Sequence, residues 1–237
     1  MANSYLPIPE SWVRSTLSPD VEAGLILKVE TGSTPATSRD EFWDGDIPWL
    51  TPKEVTDFGD NLFVSKTERM LTKAGLAEVG GRLLPAGTVL LTKRAPVGCV
   101  VVNAIPMVTN QGFLSFTCGP RLRPIYLAHW LRANRQYLDK VANGSTYPEL
   151  YAGDLFEFEI AVPDLPVQDR IIEVISSVQF LTALGHPLEQ SVHSPDALLA
   201  RQEQTRRLRS LRDSVLPLLF GGELDAAHLK NGFFATT

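Results

Sequence analysis

Glycine and proline punctuate residues 25–117 so often that the apolar runs between them stay short. The 237-residue chain holds 17 of each. Four of those runs, at 25–29, 89–92, 97–102 and 113–117, carry β-branched residues and are bounded by turn formers, which is the pattern of strands. Pro48 and Pro52 force an extended path through Ile47-Pro48-Trp49-Leu50-Thr51-Pro52 and argue against a helix there. Asp44-Gly45-Asp46 reads as a turn. Thr72 is placed to cap a short helix that Gly80-Gly81 ends, and Leu84-Pro85-Ala86-Gly87-Thr88 turns into the strand at 89–92.

One clear helix follows. Pro124 suits its first turn, and Leu127, Leu131, Asn134, Leu138 and Val141 fall on one face through steps of four and three. Asn143-Gly144 ends it. Residues 155–162 alternate apolar side chains with Glu157 and Glu159, as a half-buried strand does. A boundary is expected near Val162-Pro163-Asp164, because the pattern beyond it is helical throughout. Asp164 can cap a helix with Pro166 in its first turn. Ile171, Val174, Val178 and Leu181 then form a narrow seam that Gly185-His186-Pro187 stops. A second helix starts at Ser194-Pro195-Asp196 and carries a matching seam at Leu208, Leu211, Val215 and Leu218. Each seam needs a partner helix. The two can pack on each other, fold back on the first part, or meet another chain.

Length allows one or two domains at about 150 residues each. Hydrophobic content of 44% is too high for a disordered chain. No apolar run reaches the ~18 residues of a membrane span, and the N-terminus lacks the pattern of a secretory signal. Cys99 and Cys118 sit in strand-like surroundings. A disulfide is possible, but two thiols of a cytoplasmic protein fit better. Four scattered histidines and two cysteines offer no zinc site.

The formal net charge of -5 argues at first against nucleic acid. Its distribution argues the other way. Residues 1–60 carry 4 basic and 11 acidic side chains, residues 61–150 carry 11 and 4, and residues 151–237 carry 7 and 12. A basic middle between acidic flanks suits an anionic ligand.

Motifs for catalysis are missing. There is no glycine-rich phosphate loop, no nucleophile elbow and no metalloprotease helix. The basic middle instead holds polar loops. Lys93-Arg94-Ala95-Pro96-Val97-Gly98 sets two cations at a strand end, Thr109-Asn110-Gln111-Gly112-Phe113 sets a hydroxyl and two amides before another strand, and Asn143-Gly144-Ser145-Thr146-Tyr147 follows the helix. Arg and Lys read guanine edges, Asn and Gln read adenine edges, and hydroxyls suit phosphate. Each has a plain alternative. Lys-Arg is often a solvated pair, Thr-Asn-Gln-Gly can satisfy its own turn, and Trp43, Trp49 and Tyr147 can be packing residues.

Several stretches together resemble the specificity subunit of type I restriction–modification enzymes. They are Thr31-Gly32-Ser33-Thr34-Pro35, Phe42-Trp43-Asp44-Gly45-Asp46-Ile47-Pro48-Trp49-Leu50-Thr51-Pro52-Lys53, Leu84 to Leu90, Arg94-Ala95-Pro96-Val97-Gly98, Thr109 to Phe113, Asn143 to Thr146, and Ile160-Ala161-Val162-Pro163 through Gln168, Arg170 and Ile171. Their order and spacing make the likeness, which covers roughly residues 21–222. It implies an α+β chain. Residues 1–162 would be a mixed α/β target-recognition domain. Residues 163–222 would be an antiparallel, coiled-coil-like spacer and dimerisation region, and 223–237 a tail.

The resemblance also implies a non-catalytic subunit that binds double-stranded DNA and docks a methyltransferase subunit, with a nuclease subunit able to join. S-adenosylmethionine would belong to the methyltransferase, leaving this chain without a cofactor or metal. One recognition domain and one spacer imply a half-length form, reading one half-site per chain and pairing as a homodimer through the seams. The residues expected near DNA are Lys93, Arg94, Thr109, Asn110, Gln111, Arg121, Arg123, Ser145, Thr146 and Tyr147. A protein-interaction module of the same fold with weak DNA binding is the competing expectation.

Overall fold

The computed structural model describes residues 10–59, 61–142 and 149–184, with the backbone alone over 178–184, and positions 203, 206 and 210. These residues fall into two compact units. One is Arg14–Ile160, and the other takes residues 10–13 and those from 161 onward.

The first unit is built on strands. β1 (Val13–Thr16) and β2 (Ile26–Thr31) precede a 3-10 turn and β3 (Trp43–Leu50). Helix α1 (Pro52–Asp57), β4 (Phe63–Val64), β5 (Arg69–Leu71) and α2 (Lys73–Glu78) follow. Then come β6 (Val89–Thr92), β7 (Val100–Asn103), β8 (Val108–Thr109) and β9 (Phe113–Cys118). Helices α3 (Pro124–Ala133), α4 (Arg135–Val141) and α5 (Ala152–Phe156) lead to β10 (Glu159–Val162).

The main sheet has the order β2-β9-β6-β7-β4, antiparallel except for the β4–β7 pair. A smaller sheet, β5-β3-β8, pairs β3 antiparallel with β5 and parallel with β8. β1 and β10 form a third, two-stranded sheet. Every residue of β6 is buried, which explains why its sequence is continuously apolar rather than alternating. On one side Leu50, Leu90, Val101, Met107 and Phe113 cluster. Helix α3 packs on β6 and β7 and buries Tyr126, Leu127, Trp130 and Leu131.

Local signals set several elements as expected. Thr72 Oγ1 accepts from Gly75 N at 3.1 Å and starts α2. The turn into β6 is held by buried Asn103, whose Oδ1 accepts from Thr88 N and whose amide donates to Pro85 O and Ile105 O. Gly87, at φ 84°, supplies the left-handed residue that this turn needs. Cys99 and Cys118 are both free and half-buried. Burial pushes the Cys118 thiol up to about 12, so it stays protonated at neutral pH.

Other expectations are corrected. Pro48 lies in a strand, but Pro52 opens α1, where its missing N–H costs nothing. Asp44-Gly45-Asp46 is not a turn between elements. It is an irregularity inside β3, where the register to β5 shifts and Asp44 takes φ 59°. The strand expected at 97–102 begins only at Val100, because residues 93–98 form the loop between β6 and β7. The single helix after Pro124 divides at Asn134. That buried asparagine donates its side-chain amide to Trp130 O, a local bond that competes with a continuous helix. The strand expected at 155–162 starts late: residues 152–156 form a short helix, whose first turn Asp154 closes by accepting from Tyr151 N. Only 159–162 are extended.

The second unit is dominated by α6 (Leu165–Leu184), 20 residues and about 30 Å long. Asp164 Oδ1 accepts from Val167 N at its start, and buried Gln168 donates to Pro163 O. Ile171 and Ile175 are buried within the chain and Val174 is half-buried. The start of this seam is therefore covered without a second copy. The side chains of Val178 and Leu181, and all of Leu208, Leu211, Val215 and Leu218, lie outside the described residues. Among the described residues no helix is long and apolar enough to cross a membrane.

Candidate nucleic-acid interface

The sequence motifs that lie far apart in the chain meet at one end of the main sheet. β2 ends there at Thr31, β6 ends at Thr92 and β9 begins at Phe113, paired Thr31↔Leu114 and Thr92↔Phe113. Main-chain bonds tie the loops that leave these ends. Ser33 N donates to Thr109 O, Asn110 N to Leu50 O, Lys93 N to Gly112 O, and Leu150 N to Lys93 O, at 2.8–3.1 Å.

Close approach demands glycine at two of these contacts. A Cβ on Gly32 would lie 2.0 Å from Thr109 O and 2.4 Å from Thr109 Oγ1, and one on Gly112 would lie 2.6 Å from Pro52 Cγ. Gly32→Ala must push the loop off backbone atoms. It is expected to cost about 1–3 kcal/mol and to lower the melting temperature, while Thr34→Ala on the same loop leaves melting nearly unchanged. Thermal denaturation of the two variants checks this.

Two tryptophans fix the 32–39 loop from below. Trp49 Nε1 donates to Ser33 O at 3.1 Å and Trp43 Nε1 to Ala36 O at 3.2 Å. Both are buried and meet edge to face, 5.0 Å between centroids, so they pack rather than offer stacking platforms. Arg69 lies over Trp43, its guanidinium carbon 3.3 Å from the ring centroid.

Lys93 and Arg94 converge on Glu149. Lys93 Nζ is 3.0 Å and Arg94 Nε 3.2 Å from the same oxygen, Glu149 Oε1. Arg94 also pairs with Glu149 in an antiparallel backbone bridge. The Lys93 side chain is only 13% exposed, against 49% for Arg94. Burial pushes the Glu149 carboxyl up, but hydrogen bonds and attraction from Lys93 and Arg94 outweigh it and hold the group below the usual carboxylate range. It is ionised at neutral pH.

The expected DNA contacts divide on this framework. Lys93, Arg94, Asn110 and Gln111 lie in the loop cluster. Gln111 is exposed and its Oε1 accepts from Thr34 Oγ1. Asn110 Oδ1 instead accepts from Gly112 N at 2.8 Å, so it serves its own turn. Thr109 is corrected outright. It is 1% exposed, sealed beneath the Gly32 loop, and its hydroxyl cannot face a ligand.

Arg121 and Arg123 follow the opposite end of β9, where Arg121 Nη1 donates to Ala23 O. A six-residue strand spans about 20 Å, so they do not join the cluster. Ser145, Thr146 and Tyr147 lie outside the described residues. The basic middle is dispersed as well. Arg132 is spent on Val100 O and Asn61 O, and Arg135 on Val97 O. The sequence reading missed Glu149, Thr34 and the packing role of Gly32. Only the adjacency of Glu149 to the Gly-Ser-Thr loop could have drawn attention to it. Among the described residues no group of three or more His, Cys, Asp or Glu is placed to hold a metal ion.

A strand framework that gathers cationic and amide side chains on loops at one sheet end defines a mixed α/β domain of the recognition type. Residues 20–192 match the family model of the type I restriction modification DNA specificity domain, and the chain belongs to that family. It is 39% identical over 153 residues to the type I restriction enzyme MjaIX specificity subunit of Methanocaldococcus jannaschii, covering 64% of this chain and 35% of that protein. A solved chain described under complex assembly and conformational transition of the type I R-M system superposes with a TM-score of 0.59 at 20% identity, over 93% of this chain and 48% of that one. The HsdS subunit from Thermoanaerobacter tengcongensis gives 0.55 at 20%, over 93% and 47%. The fold is thus that of HsdS recognition domains. The chain spans about a third of the curated relative and about half of the solved chains.

Proposed function

We propose that this chain confers DNA sequence specificity on a type I restriction–modification complex. In this reading the first unit contacts double-stranded DNA through the loop end of its main sheet and reads one half of a split site. The helical part beyond Asp164 sets the separation of half-sites, docks a methyltransferase subunit and pairs with a second copy in the cytoplasm. Adenine methylation then belongs to the methyltransferase, which carries S-adenosylmethionine. A nuclease subunit acts through the same assembly, and this chain performs no chemistry. The observation that carries the reading is the meeting of five separated loop segments, with Lys93, Arg94 and Gln111 among them, at one sheet end.

Methylation mapping in cells with and without the gene tests it. A split, adenine-methylated motif should vanish with the gene and return with the intact chain. Methylation that is identical in both strains overturns the reading. Light scattering of the chain with its methyltransferase tests the second copy, and a mass with a single specificity chain removes it.

A further inference from the structure

Arg94 is held to Glu149 through Nε, 3.2 Å from Oε1, and its side chain is 49% exposed. Besides Nε, a guanidinium has an end-on edge with two parallel N–H donors, and half-exposure of the side chain leaves a ligand room to reach it. Such an edge fits the O6 and N7 acceptors of guanine or the oxygens of a phosphate. The surroundings separate the two. Glu149 Oε1 lies 3.2 Å from Arg94 and 3.0 Å from Lys93. One carboxylate beside two cations halves their net charge and so weakens their pull on a phosphate. A guanine edge is neutral, so its hydrogen bonds to the guanidinium depend far less on that lost charge. Arg94 also sits on a framed loop, with Gly98 N and Thr92 N bonded across its base to Thr92 O and Cys99 O. It is therefore not free to follow the backbone of any passing duplex.

We propose that Glu149 is a positioning and specificity-determining residue, which aims Arg94 at the major-groove edge of one guanine and weakens the hold of the Lys93–Arg94 pair on phosphate. The proposal rests on the DNA-recognition reading above and adds to it the base that is read and the residue that enforces the choice. The ionised state of Glu149 at neutral pH, already described, is what this partial neutralisation requires.

The test uses the full chain and 30-base-pair duplexes enriched by it from a randomised pool, with a scrambled duplex as control. Each guanine of the enriched motif is replaced in turn by 7-deazaguanine, which lacks the N7 acceptor. One replacement should weaken wild-type binding about tenfold, and Arg94→Lys should erase that penalty without changing the salt slope. Glu149→Ala should bind the enriched duplex more weakly and the scrambled duplex more tightly, with a salt dependence steeper by about one unit. A purely structural role for Glu149 would weaken both.

Lys93 is mostly buried beside Glu149, so Glu149→Asp serves as a second variant. It keeps the charge, and with it the scrambled-duplex affinity, but should lose the 7-deazaguanine penalty because its arm is shorter. Retention of wild-type selectivity and of the penalty in both Glu149 variants overturns the proposal alone. Uniform weakening of Arg94→Ala on every duplex with a shallower salt slope identifies a phosphate contact and overturns it too. Failure of the wild-type chain to enrich any sequence removes the DNA-recognition reading, and this proposal with it.

Discussion

Phe113→Ala is expected to destabilise the chain by about 3–5 kcal/mol, as truncation of a fully buried aromatic residue does. Phe113 has no exposed surface and packs with Leu50, Leu90, Val101 and Met107. It is also the first residue of β9, paired with Thr92 of the central strand. The gap would open directly under the loops that carry Lys93 and Gln111. A domain is commonly stable by only 5–15 kcal/mol, so this one change removes a large share. Urea denaturation should show a lower midpoint. Phe113→Leu refills most of the volume and should cost roughly 1–2 kcal/mol. Equal midpoints for wild type and Phe113→Ala would show that the strand end is not a packed core.

Glu54→Ala is expected to cost about 2–4 kcal/mol, an unusual amount for an acid. Glu54 is 4% exposed and accepts three hydrogen bonds. Oε2 takes Thr51 N and Thr51 Oγ1, and Oε1 takes Glu68 N, all at 2.7–2.8 Å. It closes the first turn of α1 and staples that turn to the segment before β5. Alanine would leave two part-buried main-chain donors unpaired, each costing about 1–3 kcal/mol before relaxation. Glu54→Gln keeps the shape but replaces one acceptor oxygen by a donor, so roughly half the loss is expected. Amide hydrogen exchange should quicken at both Thr51 and Glu68 in Glu54→Ala, and at one of the two in Glu54→Gln. Unchanged exchange at Glu68 in Glu54→Ala would rule out the staple.

What could be seen in the sequence was local. The buried strand 89–92, the strand from Phe113, the Thr72 cap and the Pro124 helix start each rest on a few adjacent residues. What could not be seen depends on distant partners. Asn134 looks like a member of a helical stripe until its buried amide turns back on Trp130 O. Thr109 looks like the polar start of a ligand loop until the Gly32 segment covers it. Arg121 and Arg94 share a basic stretch, yet β9 holds them a strand length apart. Several residues of the motifs that carry the resemblance, Gly32, Asn110 and Gly112 among them, are ones that lock loop to loop. The Glu149 ion pairs were not legible at all, since they depend on two cations that reach it from a distant segment.

The loop end of the main sheet is joined mostly by bonds between peptide groups: Ser33 to Thr109, Asn110 to Leu50, Lys93 to Gly112, Leu150 to Lys93. Given glycine at 32 and 112, such a joint does not depend on the side chains that point away from it. A substitution at Thr34, Arg94 or Gln111 can alter the chemical face presented by the loops without loosening what holds them. A new preference can then arise through single replacements, each tolerated by the fold. On the DNA-recognition reading proposed above, retargeting by design begins at those three exposed or half-exposed positions and leaves Gly32, Gly112 and the two indoles untouched.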